Sequence, residues 1–88
     1  MNVEQMRSPG SGRPVANQII IRDDDATYFQ SYGSVIVKIT GEKVYLDKDY
    51  WDYSTTTGKY RNAFLREKKV DTERKLAQGI YKLANLNS

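Results

Sequence analysis

The chain has 88 residues, enough for one small domain, because a chain of this size buries only about 60–65% of the surface that it exposes when unfolded. It contains neither Cys nor His, which excludes disulfides, thiolate metal sites and the commonest general base and zinc ligand. The formal net charge is +3, and its concentration in the basic C-terminal third, after residue 56, indicates an anionic partner.

The first 16 residues predict a disordered tail. Both prolines lie there, and the Ser-Pro-Gly-Ser-Gly stretch at 8–12 resembles an added linker. The folded domain is expected over residues 17–88. No apolar run approaches the roughly 18 residues of a membrane span, and the N-terminus lacks the apolar region of a secretory signal. We therefore expect a cytoplasmic protein without membrane contact.

Short β-branched and alternating segments predict a sheet. Gly41-Glu42 fits the two-residue loop of a type II′ hairpin turn, since Gly occupies its first position. A closing strand is predicted at 80–84, with a helix running through residue 86 as the alternative. The other strands are predicted at 18–22, 27–30, 34–40 and 43–46.

Beyond residue 46 the pattern is typical of helices. Asp47 is the predicted cap of a short helix through residue 53, and Ser54 is the predicted cap of a second helix. On this second helix, Tyr60, Ala63 and Phe64 form a stripe expected to face the sheet.

A last short helix is expected to begin at Asp71 or Thr72, to run through Gln78 and to stop at Gly79. These elements together predict the fold class. It is α+β, a small antiparallel sheet of three to five strands with two or three short helices packed on one face.

No pattern in the chain favours catalysis. The aspartates at 23–25 lack the spacing over about twelve residues and the Gly that a calcium loop needs, so a solvated turn is favoured. Those at 47, 49 and 52 would point to different sides of a helix. No phosphate-loop pattern occurs. We predict no catalytic residue, no metal site and no cofactor, and a protein that is not an enzyme.

The polar side of the second predicted helix is the main candidate binding surface. Its residues at 55, 59, 62 and 66 follow the spacing of one helix face and supply the groups of a DNA recognition helix. With the short helix at 47–53 it would form a helix-turn-helix. A solvated helix face explains the pattern equally well. The predicted nucleic-acid contacts are Thr55, Lys59, Arg61, Asn62, Arg66, Lys68, Lys69, Arg74 and Lys75.

Protein binding is the alternative function. The acidic run Asp23, Asp24 and Asp25 is followed by Tyr28 and Tyr32, which would offer charge and aromatic anchors to a host or defence protein. Core packing is the favoured interpretation of most aromatic residues, and stacking of unpaired bases is the other. A structural role without a ligand is a third possibility, and the oligomeric state is unknown.

Several strings of the sequence are distinctive: YFQSY at 28–32, KVYLD at 43–47, YWDYS at 50–54, TTGKYRN at 56–62, FL at 64–65 and YKLANLN at 81–87. Over about residues 26–87 they resemble a family of small uncharacterised proteins encoded by phages and conjugative plasmids of Gram-positive bacteria. The resemblance implies a mobile genetic element, where small proteins commonly bind DNA or block a host defence protein. Family-like sequences tend to read Gly-Glu where this chain has Arg66-Glu67, which removes a predicted turn.

The leading hypothesis is therefore a non-catalytic nucleic-acid-binding accessory protein of a mobile genetic element, in the cytoplasm of a bacterial host. The alternative is an anti-defence or host-takeover inhibitor that binds a protein.

Overall fold

A computed structural model describes residues 1–87, which form a six-stranded mixed sheet and two helices. In chain order the elements are β1 (Asn2–Arg7), β2 (Pro14–Arg22), β3 (Thr27–Ser31), β4 (Ser34–Thr40), β5 (Lys43–Asp47), α1 (Thr55–Leu65), α2 (Lys69–Ala77) and β6 (Tyr81–Ala84). The strands lie side by side in the same order, antiparallel from β1 to β5. β6 pairs with β5 in parallel, because the two helices return the chain to the start of β5.

The predicted α+β class is confirmed, but the sheet is larger than predicted and is not purely antiparallel. β3, β4 and β5 lie within one residue of their predicted bounds, whereas β2 begins four residues before its predicted start at residue 18. Residues 81–84 form a strand, which answers the choice between strand and helix left open by the sequence. The last residue of the predicted domain, at position 88, lies outside the described residues.

Residues 1–16, predicted as a disordered tail, instead form β1, a turn and the start of β2. Val3 pairs with Ile21 across the two strands, and the backbone N–H of Ser8 donates to the carbonyl of Arg13 at 2.9 Å to close the turn. The Gly and Pro residues that suggested a tail occupy this turn and the first position of β2, where a strand tolerates a missing N–H.

Two-residue turns join β3 to β4 and β4 to β5. Gly41 has φ 60, and Thr40 pairs with Lys43 on either side of the turn, which confirms the predicted hairpin. In the β3–β4 turn Tyr32 and Gly33 have φ 51 and φ 83, the two positive values of a type I′ turn.

Both helices pack on one face of the sheet. Phe29, Val37 and Leu46 pair across β3, β4 and β5 and are fully buried. The ring of Phe64 on α1 stacks on that of Phe29 with 5.7 Å between centroids. Tyr60 is buried as predicted, whereas Ala63 is exposed.

Polar side chains replace Ala63 on the buried side of α1. Thr57 is fully buried, and its Oγ1 lies 2.8 Å from Ser31 Oγ, while Arg61 is 1% exposed. The buried stripe is therefore rotated relative to the apolar one, because Thr57 Oγ1 and the two Nη groups of Arg61 have partners inside the fold.

The short helix predicted at 47–53 is absent, because Asp47 is the last residue of β5 and residues 48–53 form turns and a bend. Asp47 caps the first turn, with its Oδ2 accepting from the backbone N–H groups of Asp49 at 3.0 Å and Tyr50 at 2.9 Å. Its Oδ1 accepts from the N–H of Leu86 at 2.9 Å and so ties down the C-terminal segment. The predicted helix-turn-helix therefore does not form. Ser54 does cap α1, since its Oγ accepts from the N–H of Thr57 at 3.1 Å.

The connection between the helices contradicts the expectation that Arg66 removes a turn. Arg66 ends α1 in the left-handed region, at φ 58 and ψ 46. Its own N–H and that of Glu67 both donate to the carbonyl of Asn62. The turn therefore forms with Arg at a position that favours Gly. α2 begins at Lys69, before the predicted caps at 71 and 72, and Gly79 follows its end with φ 76.

We expect Arg66→Gly to raise the free energy of unfolding by about 0.5–1 kcal/mol, because Gly adopts this backbone conformation without strain. Arg66→Ala is the control, since it removes the same charge but keeps the Cβ atom and should give no gain. Urea unfolding followed by circular dichroism compares the three proteins. An equal gain in both variants would assign the effect to the lost charge.

Candidate functional site

An open cleft of about 680 Å³ lies between the first half of α1, the turn before it and the start of α2. We call it the α1 cleft. Its volume falls in the range of ligand sites, roughly 300–1,000 Å³. Its lining consists of Asp52, Tyr53, Ser54, Thr55, Gly58, Lys59, Arg61, Asn62 and Lys69.

Arg61 forms the buried wall of the α1 cleft. Its Nη1 donates to the carbonyl of Trp51 at 2.8 Å and to Asp52 Oδ1 at 3.0 Å, and its Nη2 donates to Asn62 Oδ1 at 3.0 Å. The guanidinium also lies 5.1 Å from the centroid of the Trp51 ring. Arg61 therefore holds the turn at 51–52 against α1. The prediction of Arg61 as a nucleic-acid contact implied a solvent-facing side chain, which is wrong, because the side chain is buried and both of its Nη groups donate to internal partners.

Asp52 lies between two cations. Its Oδ1 accepts from Arg61, and its Oδ2 is 2.6 Å from Lys69 Nζ. Burial raises the pKa of Asp52, but the hydrogen bonds and positive charges of Lys69 and Arg61 outweigh it, so the pKa lies below its ordinary value. The hydrogen bond and charge of Asp52 raise the pKa of Lys69 in turn. These shifts keep Asp52 and Lys69 ionised at neutral pH, and one carboxylate compensates only one of the two cations.

Lys59 supplies a further positive charge. It is exposed, its Nζ lies 5.5 Å from the Tyr60 ring centroid, and no carboxylate within residues 1–87 forms an ion pair with it. The first turn of α1 has no acidic residue, so the positive end of its dipole adds to the field of Lys59. The α1 cleft therefore has a net positive charge.

The structure does not gather all nine predicted nucleic-acid contacts. Thr55, Lys59, Arg61, Asn62 and Lys69 line the α1 cleft. The other four lie outside its lining: Arg66, Lys68 and Arg74 are exposed, and Lys75 is half-buried.

Lys75 belongs to a buried network around Glu67, whose side chain is 6% exposed. The Glu67 carboxylate accepts from Thr72 Oγ1 and Lys75 Nζ, each at 2.6 Å, and from the Tyr81 hydroxyl at 2.8 Å. Burial raises the pKa of Glu67, but these three donors outweigh it and the pKa is lowered. The network ties the α1–α2 turn to β6, so we assign Lys75 a structural role.

The residues predicted for protein binding do not form one surface. The aspartates at 23–25 are exposed in the β2–β3 turn, whereas Tyr32 lies in the turn at the other end of β3. Tyr28 lies on the sheet face opposite the helices, because its neighbour Phe29 packs against α1 and side chains alternate along a strand.

Two exposed tyrosines beside the α1 cleft were not predicted as site residues. Tyr50 and Tyr53 are 39% and 45% exposed, and their rings meet edge to face with 5.4 Å between centroids. Tyr53 also lines the α1 cleft. The sequence favoured a short helix through residue 53, but this segment forms turns, and of its three rings only that of Trp51 packs against the core. No simple pattern distinguishes the three rings.

Neither α1 nor α2, the helices of residues 1–87, is long and apolar enough to cross a membrane. Across the same residues, no three acidic side chains are grouped so as to hold a metal ion. The aspartates at 23–25 are therefore consecutive in sequence without forming such a group.

Comparison with curated proteins gave no match, and neither did comparison with solved structures. Comparison with protein families matched residues 1–80 to one described as a family of unknown function, DUF8033. The matched range includes residues 8–12, the stretch whose composition resembles an added linker. The chain, matched over most of its length, belongs to the DUF8033 family.

Proposed function

We propose that this protein is a non-catalytic nucleic-acid-binding accessory protein of a mobile genetic element, that it acts in the cytoplasm of a bacterial host, and that the α1 cleft is its binding site. One observation carries the proposal. A single open cleft brings together three cationic side chains, a threonine hydroxyl and an amide, with only one carboxylate among them. Exposed ammonium, hydroxyl and amide groups contact phosphate oxygens, and the buried Arg61 adds positive charge.

The roles of the cations differ. Lys59 is exposed and unpaired with any carboxylate in residues 1–87, so its ammonium is free to contact a phosphate. Lys69 is about half exposed and shares Asp52 with Arg61, so it reaches the ligand from the opposite wall. Arg61 is buried in the wall of the cleft, where it contributes positive charge and holds the turn at 51–52 rigidly against α1.

Exposed cations outside the lining extend the positive surface. Lys68 directly precedes Lys69, and Arg66 lies in the same turn between the helices. Contacts of this kind fix the position of a nucleic acid without reading its sequence. We therefore expect an affinity dominated by phosphate contacts and weakened by salt.

We expect Lys59→Ala to weaken binding of labelled DNA several-fold and to reduce the slope of log affinity against log salt by about one unit, because one phosphate contact is lost. Lys43→Ala is the matched control. It removes the same charge from an exposed position at the far end of β5. Fluorescence anisotropy, started at low salt, measures both.

Two results would contradict the proposed function. The first is no binding of the wild type to any nucleic acid at low salt, where electrostatic attraction is strongest. The second is an equal loss for Lys59→Ala and Lys43→Ala, which would indicate attraction by net charge without a localised site. Capture of a host protein together with either result would support the protein-binding alternative.

A further inference from the structure

We infer that the α1 cleft binds unpaired nucleotides of a single-stranded nucleic acid, with the ring of Tyr53 stacking on a base. This inference rests on the proposed function, because it names the form of nucleic acid that the same cleft accepts. It is carried by the shape of the cleft and by the exposed aromatic pair at its edge.

The site is concave, whereas elements that read a duplex protrude. A recognition helix enters a major groove about 12 Å wide and places its side chains on base edges. Here α1 packs against the sheet through Tyr60 and Phe64, and its Lys59 and Asn62 line a cleft bounded by the preceding turn and α2. We expect a single strand to enter such a cleft and a duplex to contact only its edges.

The aromatic pair offers a stacking surface. Tyr53 lines the cleft with 45% of its surface exposed. Tyr50 meets it at an interplanar angle of 78°, so the pair is edge to face. An edge-to-face neighbour supports a ring without stacking over both of its faces. Unpaired bases stack on exposed rings of this kind irrespective of sequence.

Cations line the same cleft as this ring. Lys59 and Lys69 line the same cleft as Tyr53, so a base on the ring places its flanking phosphates near both ammonium groups. Single-strand binders combine these two features, a stacking ring and a positive groove that follows the backbone.

The opposite face of the sheet is the competing platform. Tyr28 and Tyr45 each pair with Lys38 across neighbouring strands there. Both rings are half-buried, and Lys38 Nζ lies over the Tyr28 ring at 5.9 Å, which occupies one face of that ring. That face therefore offers less free aromatic surface than the α1 cleft.

The test is an anisotropy titration of a labelled oligothymidylate of roughly 12 nucleotides and of a duplex of the same length. We expect the single strand to bind at least about 10-fold tighter than the duplex. Tyr53→Ala should weaken single-strand binding about 10-fold and leave duplex binding unchanged, whereas Tyr53→Phe should bind as the wild type does, because the ring is kept. Tyr53→Leu, of intermediate size, replaces Tyr53→Ala if circular dichroism shows that the alanine variant is unfolded.

Two outcomes overturn the inference but keep the proposed function: a duplex that binds as tightly as the single strand and responds to Lys59→Ala, or single-strand binding that survives both Tyr53→Ala and Tyr53→Leu. A further outcome is that inorganic phosphate displaces the oligonucleotide at the same concentration as thymidine monophosphate does. This result would also overturn the inference, since the base would add nothing and the cleft would be a simple anion site. Absence of binding to either probe overturns the inference and the proposed function together.

Discussion

Replacing Phe29 by Ala is expected to lower the free energy of unfolding by about 3–5 kcal/mol. Phe29 is fully buried at the centre of β3, between Ile20 on β2 and Val37 on β4. The ring of Phe64 stacks on that of Phe29, so Phe29 joins the sheet to α1. Domains have a total stability of only about 5–15 kcal/mol, and small ones lie toward the lower end. The variant should therefore lose most of its stability.

Urea unfolding followed by circular dichroism measures the effect of Phe29→Ala. Phe29→Leu is the control, expected to cost less than about 2 kcal/mol because most of the volume is kept. Phe64→Ala should also cost less than Phe29→Ala, since Phe64 is only half-buried. A loss below about 1 kcal/mol for Phe29→Ala would mean that the helices do not pack on this face.

Replacing Arg61 by Ala is expected to lower the free energy of unfolding by about 2–4 kcal/mol. The change removes three donated hydrogen bonds and the contact with the Trp51 ring. The loss stays below that of an isolated buried charge, because Asp52 is 30% exposed and keeps Lys69. Arg61→Lys should recover less than half of it, since an ammonium cannot reproduce the planar fork of a guanidinium.

The same urea experiment distinguishes this structural role from the solvent-facing position that the sequence suggests. If Arg61→Ala unfolds at the wild-type midpoint, the guanidinium does not lie in the interior. A loss of DNA affinity in Arg61→Ala has to be compared with the loss in Lys59→Ala. Lys59 is exposed, so its replacement should leave stability unchanged.

Local patterns predicted the elements whose signals lie within a few residues. The strands around Val37 and Leu46 alternate or are β-branched, and the caps at Ser54 and Gly79 are single-residue signals. β1 was missed because its six residues are mostly polar, with only Met6 buried. Its stability comes from pairing with β2, which no local pattern reports.

Only part of the candidate site was predicted, because local patterns report only residues that lie close together along the chain. Lys59 and Asn62 lie on one helix, so helical spacing placed them together. Lys69 joins them only through the α1–α2 turn, in which Arg66 adopts a left-handed conformation that the sequence did not suggest. Arg61 was placed outside because a helical pattern treats a cation as solvated, and its internal partners, Trp51 and Asp52, lie in a turn that was predicted as helix.

The most direct test of the α1 cleft as a single-strand site is an NMR titration of the ¹⁵N-labelled protein with unlabelled oligothymidylate at low salt. We expect saturable shifts of backbone amide resonances at Tyr53, Lys59, Asn62 and Lys69, with those of Tyr28 unchanged. Shifts confined to the opposite sheet face, or spectra unchanged at saturating oligonucleotide, would contradict the assignment of this cleft.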